Sequence, residues 1–420
     1  MNAVAPAGTG VLDVALQSAE TGRFRAQDWF AVLRQQGWHS FQSLPMPKLS
    51  HEKWRFSDTR TLTLEGYAPA PEPSEAQASA LIARSQLISD AAALIVHVDG
   101  HCVLKPSLSP ELAAQGVIFE SLEDAIKHHP ALLKEHLLKH PVLLGGDKFA
   151  ALHRAWLRAG YVLHVPKGVE VSQPFVSVTW TLTEGVAVFP HALIIAGEHA
   201  KADIHAGTGS QVRRLAVQAW GTGTQSFQVD NTCGGRDSLI SSVNAAVGSR
   251  RARLENTVHI DAAGADVRLY GISVASGVQE FDQRTLQIHA AGHAKSDLLF
   301  KNALLGKART IFSGLIKVEP DAQRTDAFQT NRNLLLSPEA EADSLPGLEI
   351  EANDVKCSHG ATTGQIDPAE LFYLQARGIP LATAQELLAQ GFLEEVLAKV
   401  GHEEAAAVVR EMLREKFHQA

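Results

Sequence analysis

The chain has 420 residues, 45% hydrophobic and 20% charged, with 38 basic against 46 acidic side chains for a net charge of -8. That balance is globular, and the length exceeds what one compact core usually serves, so two or three structural units are predicted. It excludes a broad basic surface for a phosphate backbone, and with it nucleic acid as a partner.

Three cysteines, Cys102, Cys233 and Cys357, are spread along the chain without a C-x-x-C pair, which argues against a disulfide framework or a self-contained zinc site. The N-terminal run Met1-Asn2-Ala3-Val4-Ala5-Pro6 has no basic residue before Arg23, so neither a secretory signal nor an Arg-rich transit peptide fits. No apolar run reaches the ~20 residues of a membrane span. The expectation is a cytoplasmic protein.

The first part, residues 1–146, reads as a helical region punctuated by proline: 9 of the 18 prolines precede residue 141, and Pro69-Ala70-Pro71-Glu72-Pro73 resembles a stiff linker. Amphipathic patterns run from Asp28 to Leu33 and from Leu122 to Leu138. The second carries His128, His129, His136 and His140; the last two, four apart, would share a helix face at a metal-ligand spacing, but nothing nearby supplies a third ligand. A further helix is predicted from Asp147, as N-cap, to Gly160 as its left-handed stop.

The texture then changes. Residues 141–360 hold 21 of the 32 glycines, and the intervening segments alternate apolar and polar, as in Thr285-Leu286-Gln287-Ile288-His289. Turns recur at Gly197-Glu198-His199-Ala200, Gly248, Gly264, Gly292-His293-Ala294 and Gly306-Lys307-Ala308, a spacing near 14 to 16 residues or twice that. Regular turn-strand units point to a solenoid, in which each coil buries its inward face on the next. The predicted class is mainly β, a right-handed parallel β-helix over residues 147–362, flanked by the N-terminal helical region and a C-terminal helical domain over 363–420.

In that tail, Asp367-Pro368-Ala369-Glu370 predicts an N-cap with proline at the first helical position, closed by Gly378. Thr383-Ala384-Gln385-Glu386 predicts a second capping box, with Gly391 as the stop. A last helix is predicted from about His402 to Phe417, with Val408, Val409, Met412 and Leu413 on its apolar stripe.

The most specific segment joins solenoid and tail: Asn331-Arg332-Asn333-Leu334-Leu335-Leu336-Ser337, then Glu351 to Gln365 with Cys357-Ser358-His359-Gly360, then Leu371-Phe372-Tyr373-Leu374-Gln375-Ala376-Arg377-Gly378-Ile379. This closely resembles the C-terminal signature of the SufB/SufD family of iron-sulfur cluster assembly proteins. Weaker similarity covers Tyr161 to Pro166 and Glu52-Lys53-Trp54-Arg55-Phe56, so the resemblance spans nearly the whole chain. SufB-like sequences tend to carry an acidic residue after the cysteine and after the histidine; Ser358 and Gly360 stand there here, so the resemblance is to the other branch of the family.

The resemblance implies a non-catalytic scaffold that pairs with a SufB-like paralogue through the β-helix and binds a SufC-like ATPase through its helical tail. It implies no stably bound cofactor on the isolated chain, and a transient iron-sulfur cluster at the interface with the paralogue. It places an interface histidine at His359, facing a partner cysteine; imidazole is a good borderline ligand for iron. The alternative is that His359 caps the last coil by bonding a carbonyl. Cys357, two residues away in an extended segment, shares that face and is a supporting candidate, as thiolate ligand or as packing. Leu371, Phe372, Tyr373 and Leu374 form an apolar patch, to be used either against the chain's own tail or, by the resemblance, for the ATPase. A homodimer of the isolated chain stays open.

No G-x-x-x-x-G-K-[ST] or G-x-S-x-G motif is present, so the reading is not an enzyme, with ATP hydrolysis supplied by the partner. Two other classes fit the residues less well. An exported-type β-helix polysaccharide-active enzyme would want carboxylates repeated along one face, and the acidic residues of 160–340 are scattered. A hexapeptide acyltransferase solenoid would keep a cadence of six, which intervals of 16, 28 and 14 do not.

Overall fold

The computed structural model describes residues 28–64, 66–200 and 205–419. The N-terminal run Met1 to Pro6, and Arg23, on which the expectation of no signal or transit peptide rests, lie outside them. The chain divides into two compact units, one of residues up to 164 together with 173–193, the other of 165–172 together with 194 onward.

In the first unit, α1 (Trp29–Ser43) starts where Asp28 Oδ1 accepts the Phe30 N–H at 3.1 Å. Ser74 and Gln77 form a reciprocal capping box on α2 (Glu75–Arg84). The helices α3 (Pro110–Ala114), α4 (Leu122–His128), α5 (Pro130–His136) and α6 (Asp147–Trp156) follow. Between them run strands β1 (Ala68–Pro69), β2 (Ala93–Val98), β3 (His101–Leu104) and β4 (Ile118–Ser121), and after them come β5 (Ala159–Val165), β6 (Phe175–Trp180), β7 (Val186–Ala187) and β8 (Pro190–Ala196), the last of which continues into the second unit.

Three local expectations change here. The proline-rich stretch begins as β1, paired in parallel with β7, so both of its ends belong to one unit. The pattern from Leu122 to Leu138 is two helices, because Pro130 lacks the N–H that would continue α4. The second ends at His136 and Leu138 takes φ 53°, so His136 and His140 share no helix face. Gly146, not Asp147, caps α6, which stops at Trp156. Gly160, at φ 122°, lies in β5 instead; a Cβ there would stand 1.8 Å from the His191 carbonyl oxygen, so only glycine allows that approach.

The second unit is a parallel β-solenoid. After β9 (His205–Ala206) come β10 (Gln211–Gln218), β11 (Gln225–Gly234), β12 (Leu239–Ala246), β13 (Arg251–Ile260), β14 (Asp266–Ala275) and β15 (Glu280–His289). They continue as β16 (Lys295–Leu304), β17 (Arg309–Val318), β18 (Asp326–Leu335), β19 (Glu341–Ile350) and β20 (Lys356–Gln365). One sheet runs β10-β12-β14-β16-β18-β20, and the facing one continues β11-β13-β15-β17-β19. Gln225 pairs with Arg251, Arg251 with Glu280, Glu280 with Arg309 and Arg309 with Glu341, so one coil takes 26 to 32 residues. The 14 to 16 spacing in the sequence is half a coil, one strand and one corner.

The corner rule differs from the glycine pattern that reveals it. Along one edge a left-handed residue precedes a small buried one: Asp237-Ser238, Gly264-Ala265, His293-Ala294 and Arg324-Thr325, with φ of 55°, 77°, 58° and 61°. Gly292, predicted to sit at this turn, leaves the positive φ to His293, and serves the close approach instead: a Cβ on it would be 2.6 Å from the Gln323 oxygen.

Inside the coils, Phe281, Phe300 and Phe312 are wholly buried, and the Phe300 and Phe312 rings lie 5.7 Å apart. Beside them runs a polar column. Gln283 Nε2 donates to Asn302 Oδ1 at 3.0 Å, Asn302 Nδ2 to Asn333 Oδ1 at 2.8 Å, and Asn333 Nδ2 to Thr363 Oγ1 at 3.2 Å. Gln283 crosses from the facing sheet to Asn302, and Asn302 and Asn333 each hand a hydrogen bond to the next coil, which makes burying them tolerable.

The tail helices α7 (Pro368–Gln375), α8 (Leu381–Leu397) and α9 (Glu403–His418) belong to the solenoid's unit. Leu393, Val396, Leu397, Val409 and Leu413 pack on Tyr270, Ile272, Leu299 and Ala303, the outward side chains of the even-numbered sheet. At roughly 1.5–3 kcal/mol for each large apolar side chain buried, this contact anchors the tail. Lys301 Nζ donates to the Phe392 carbonyl at 2.8 Å and pairs with Glu395 at 2.5 Å. Asp367 caps α7 as its spacing predicts, and α9, expected from about His402, has that residue as its N-cap. Thr383 does not cap α8, which starts at Leu381 behind Pro380 and runs through Gly391 to Leu397. Packing of its apolar face on the sheet outweighs the roughly 1 kcal/mol that one helical glycine costs.

The corners make opposite predictions for two neighbours. Gly264→Ala should lower unfolding stability by about 1–2 kcal/mol, whereas His293→Gly, relieving a left-handed residue that is exposed, should raise it by about 0.5–1 kcal/mol. Urea unfolding of both variants checks this, and a shared sign excludes the corner rule.

Acid should loosen the solenoid through His289, wholly buried with Nε2 2.8 Å from Ser296 Oγ. Burial lowers its pKa from 6.5 to about 4, so the folded chain stays neutral there while the unfolded chain takes a proton. That stabilisation is complete above pH 6.5 and falls away towards pH 4, by about 3 kcal/mol in all. His289→Gln should flatten this fall in unfolding experiments between pH 7.5 and 4.5, and equal slopes would exclude the assignment.

Candidate functional site

A solenoid coil is satisfied on both sides only while another coil follows. The last one has no successor: β19 and β20 each end their sheet, and neither outer edge pairs with a described strand. Of β20, every residue is exposed except Cys357, which is half-buried.

The register places the two metal candidates. Cys357 pairs with Ala327, His359 with Gln329, Ala361 with Asn331 and Thr363 with Asn333. Ala327, Gln329, Asn331 and Asn333 are the buried, inward set of β18, so Cys357 and His359 share the inward face of the final rung. Their side chains follow the same line two residues apart, roughly 6–7 Å along the strand. His359 is exposed because no coil covers it, and no described residue hydrogen-bonds its ring.

Cys357 has a different setting. It packs beside Val318, Ala327, Leu348 and Ala352, and burial pushes its thiol up from 9.0. In this chain alone it is a protonated packing residue on the ligand's face. Cys102 and Cys233 are pushed up further by burial, to about 11 and about 12, and neither stands in a ligand set. Among the described residues no three His, Cys, Asp or Glu side chains converge on a metal position. His128 Nδ1 and His129 Nε2 instead approach the Glu120 carboxylate at 3.0 and 3.6 Å.

The predicted docking patch follows at once, with only Ile366 and Asp367 between β20 and α7. Phe372 and Tyr373 are 72% and 55% exposed, while Leu371 and Leu374 are half-buried. The Arg377 guanidinium lies 3.4 Å from the Tyr373 ring centre and donates to the Tyr373 carbonyl at 3.1 Å. α7 buries no residue at all, whereas α8 and α9 bury an apolar stripe. The exposed pair is therefore a surface that the chain's own packing leaves unused.

The polar column beneath the site escaped the sequence reading. Its signal is the spacing Gln329-x-Asn331-x-Asn333, amides at every second position of a strand where apolar residues are usual.

These features carry the family. The SufBD core domain of the SUF iron-sulfur cluster assembly system matches residues 179–392, and the SufBD N-terminal region matches 17–176. The chain belongs to the SufBD family and acts in SUF iron-sulfur cluster assembly. Within that family its likeness is to SufD. It is 29% identical to SufD of Bacillus subtilis over 395 residues, 88% of this chain and 90% of that protein. It is 29% identical to SufD of Escherichia coli over 366 residues, 84% of each. A SufBD family protein of Mycobacterium tuberculosis is 31% identical over 292 residues, 64% of this chain and 72% of the relative. Among the described residues no helix is long and apolar enough to cross a membrane.

The thiol environment sets a chemical expectation. Cys357 of the isolated chain should alkylate with iodoacetamide more slowly than a free thiol at pH 8, and its rate should still be rising with pH where that of a free thiol has levelled off. A profile like that of free cysteine would place the side chain in solvent and remove its packing role.

Proposed function

We propose that the chain is a non-catalytic scaffold subunit of a SufBCD-type complex, with the nascent iron-sulfur cluster as its cargo. The observation that supports this most directly is the unpaired final rung, with His359 exposed on a rigid strand. A ten-residue open edge is a template for another strand, and natural proteins seldom leave one unprotected. A SufB-like paralogue is the occupant that family membership supplies. Pairing there would cover His359 and set its imidazole against groups of the second chain, so the cargo site would exist only in the pair. Without that partner, the same edge can join a second copy of this chain.

Helix α7 is the proposed seat of a SufC-like ATPase. Phe372 and Tyr373 supply exposed aromatic area, with Arg377 stacked on one Tyr373 face, and α8, held by Lys301 and Glu395, gives α7 a fixed base. His359 is the proposed cluster ligand and Cys357 its packed neighbour. A polysaccharide-active β-helix is disfavoured by how the solenoid's carboxylates are used: Asp282 is held by Arg253 and Arg284, Glu255 by Arg253 and Asp343 by Arg309. Carboxylates tied into ion pairs are poor candidates for general acid and nucleophile.

Co-expression with SufB-like and SufC-like partners tests both surfaces. His359→Ala should leave the circular dichroism and the complex intact while iron and acid-labile sulfide on the complex fall several-fold. Phe372→Asp with Tyr373→Asp should remove the ATPase from the complex, at a cost of at least about 2 kcal/mol in binding, without moving the thermal midpoint. Dissociation of the complex by His359→Ala would instead make the residue a structural cap, and normal ATPase recovery by the aromatic double variant would clear α7 of docking.

A further inference from the structure

Directly below His359 on the inward face lies Gln329 of β18, its register partner. Gln329 is 1% exposed, and neither its Oε1 nor its Nε2 has a hydrogen-bond partner. Every other amide of the column next to it is at least partly satisfied: Asn331 Oδ1 accepts from Asn333 and Ser344, and Asn333 also reaches Thr363. The space for Gln329 is built on purpose across the lumen. Gly314 of β17 faces it, and a Cβ on Gly314 would stand 2.3 Å from Gln329 Oε1.

A buried amide without a partner costs roughly 1–3 kcal/mol. The neighbouring rung holds an imidazole that also lacks one, about 4.8 Å away in the strand-to-strand direction. Rotation of the two side chains towards each other costs less than leaving the buried amide of Gln329 without a partner. We infer that Gln329 is the positioning residue of His359: its Oε1 accepts the imidazole Nδ1–H, which fixes the ring and leaves the Nε2 lone pair directed out of the open end. This inference rests on the reading of His359 as a ligand, and it adds what orients that ligand. A histidine that binds metal through one nitrogen generally donates its other N–H to a fixed acceptor, and loss of that acceptor weakens binding about 10–100-fold. Cys357 cannot serve, since it lies two residues along the strand in an apolar cluster.

The test is the ring tautomer. The full chain is labelled with nitrogen-15 histidine, and long-range proton-nitrogen spectra at pH 8 report which ring nitrogen of His359 carries the proton, the signals being assigned by their loss in His359→Ala. Wild type should show the Nδ1–H form in excess. Gln329→Met, which fills the space without an acceptor, should lower the ratio of Nδ1–H to Nε2–H by about five-fold, the population equivalent of one ordinary hydrogen bond. Gln329→Glu, which keeps an acceptor in place, should restore it. Because Gln329→Met also removes a buried amide nitrogen, Nε2, that has no partner, its thermal midpoint should not fall, so a tautomer shift cannot be ascribed to unfolding. Iron and sulfide on the reconstituted complex should drop in Gln329→Met and recover in Gln329→Glu. An unchanged tautomer ratio in Gln329→Met overturns the assignment by itself. Normal cluster assembly by His359→Ala overturns the ligand reading, and the purpose given to Gln329 falls with it even where the tautomer shifts.

Discussion

The structure depends on parallel stacking in register, in which each coil completes the hydrogen bonds and buries the inward face of the one before. That arrangement explains why buried amides recur in the interior. Asn302 finds its equivalent, Asn333, one coil away and meets Gln283 of the facing sheet, so this ladder satisfies groups that an ordinary apolar core would reject. It also fixes where the pattern must fail. Among the described residues no strand lies above the final rung, and the residues there keep the inward orientation of their column while lying in solvent.

That failure makes the end of the solenoid chemically distinctive. His359 occupies an inward position that in any earlier coil would be covered, and its strand continues within two residues into a helix whose aromatic pair is likewise uncovered. The neighbouring helices are tied down. Lys301, almost wholly buried, places its ammonium between the Phe392 carbonyl and Glu395, and Glu395 also lies 3.6 Å from Arg332 of β18. The exposed segment from β20 through α7 is thus bounded on both sides by well-packed structure, which is how a rigid scaffold presents a surface without distorting it.

Much of this was legible in the residues. Alternation with regularly spaced turns identified a solenoid, because inward and outward positions must differ on every strand and every strand must end at a corner. The cap at Asp367 was readable for a local reason, since a side chain two or three residues from an orphan N–H needs no tertiary help. Local signals misled where tertiary packing overrode them. Gly391 did not stop α8, Thr383 did not cap it, and Gly160 served a close strand approach in place of a helix end.

By itself, the sequence determined the class of fold, the helical tail and the segment holding Cys357, His359 and the α7 patch, because these follow from periodicity and motif along the chain. Only the tertiary structure decided that one coil spans 26 to 32 residues, that Cys357 is packed while His359 is open, and that Gln329 lies beneath it. The physical reason is that register relates residues about thirty positions apart. A one-residue slip would turn His359 to the other face, and nothing local in the sequence prevents that slip; the stacking of complete coils does.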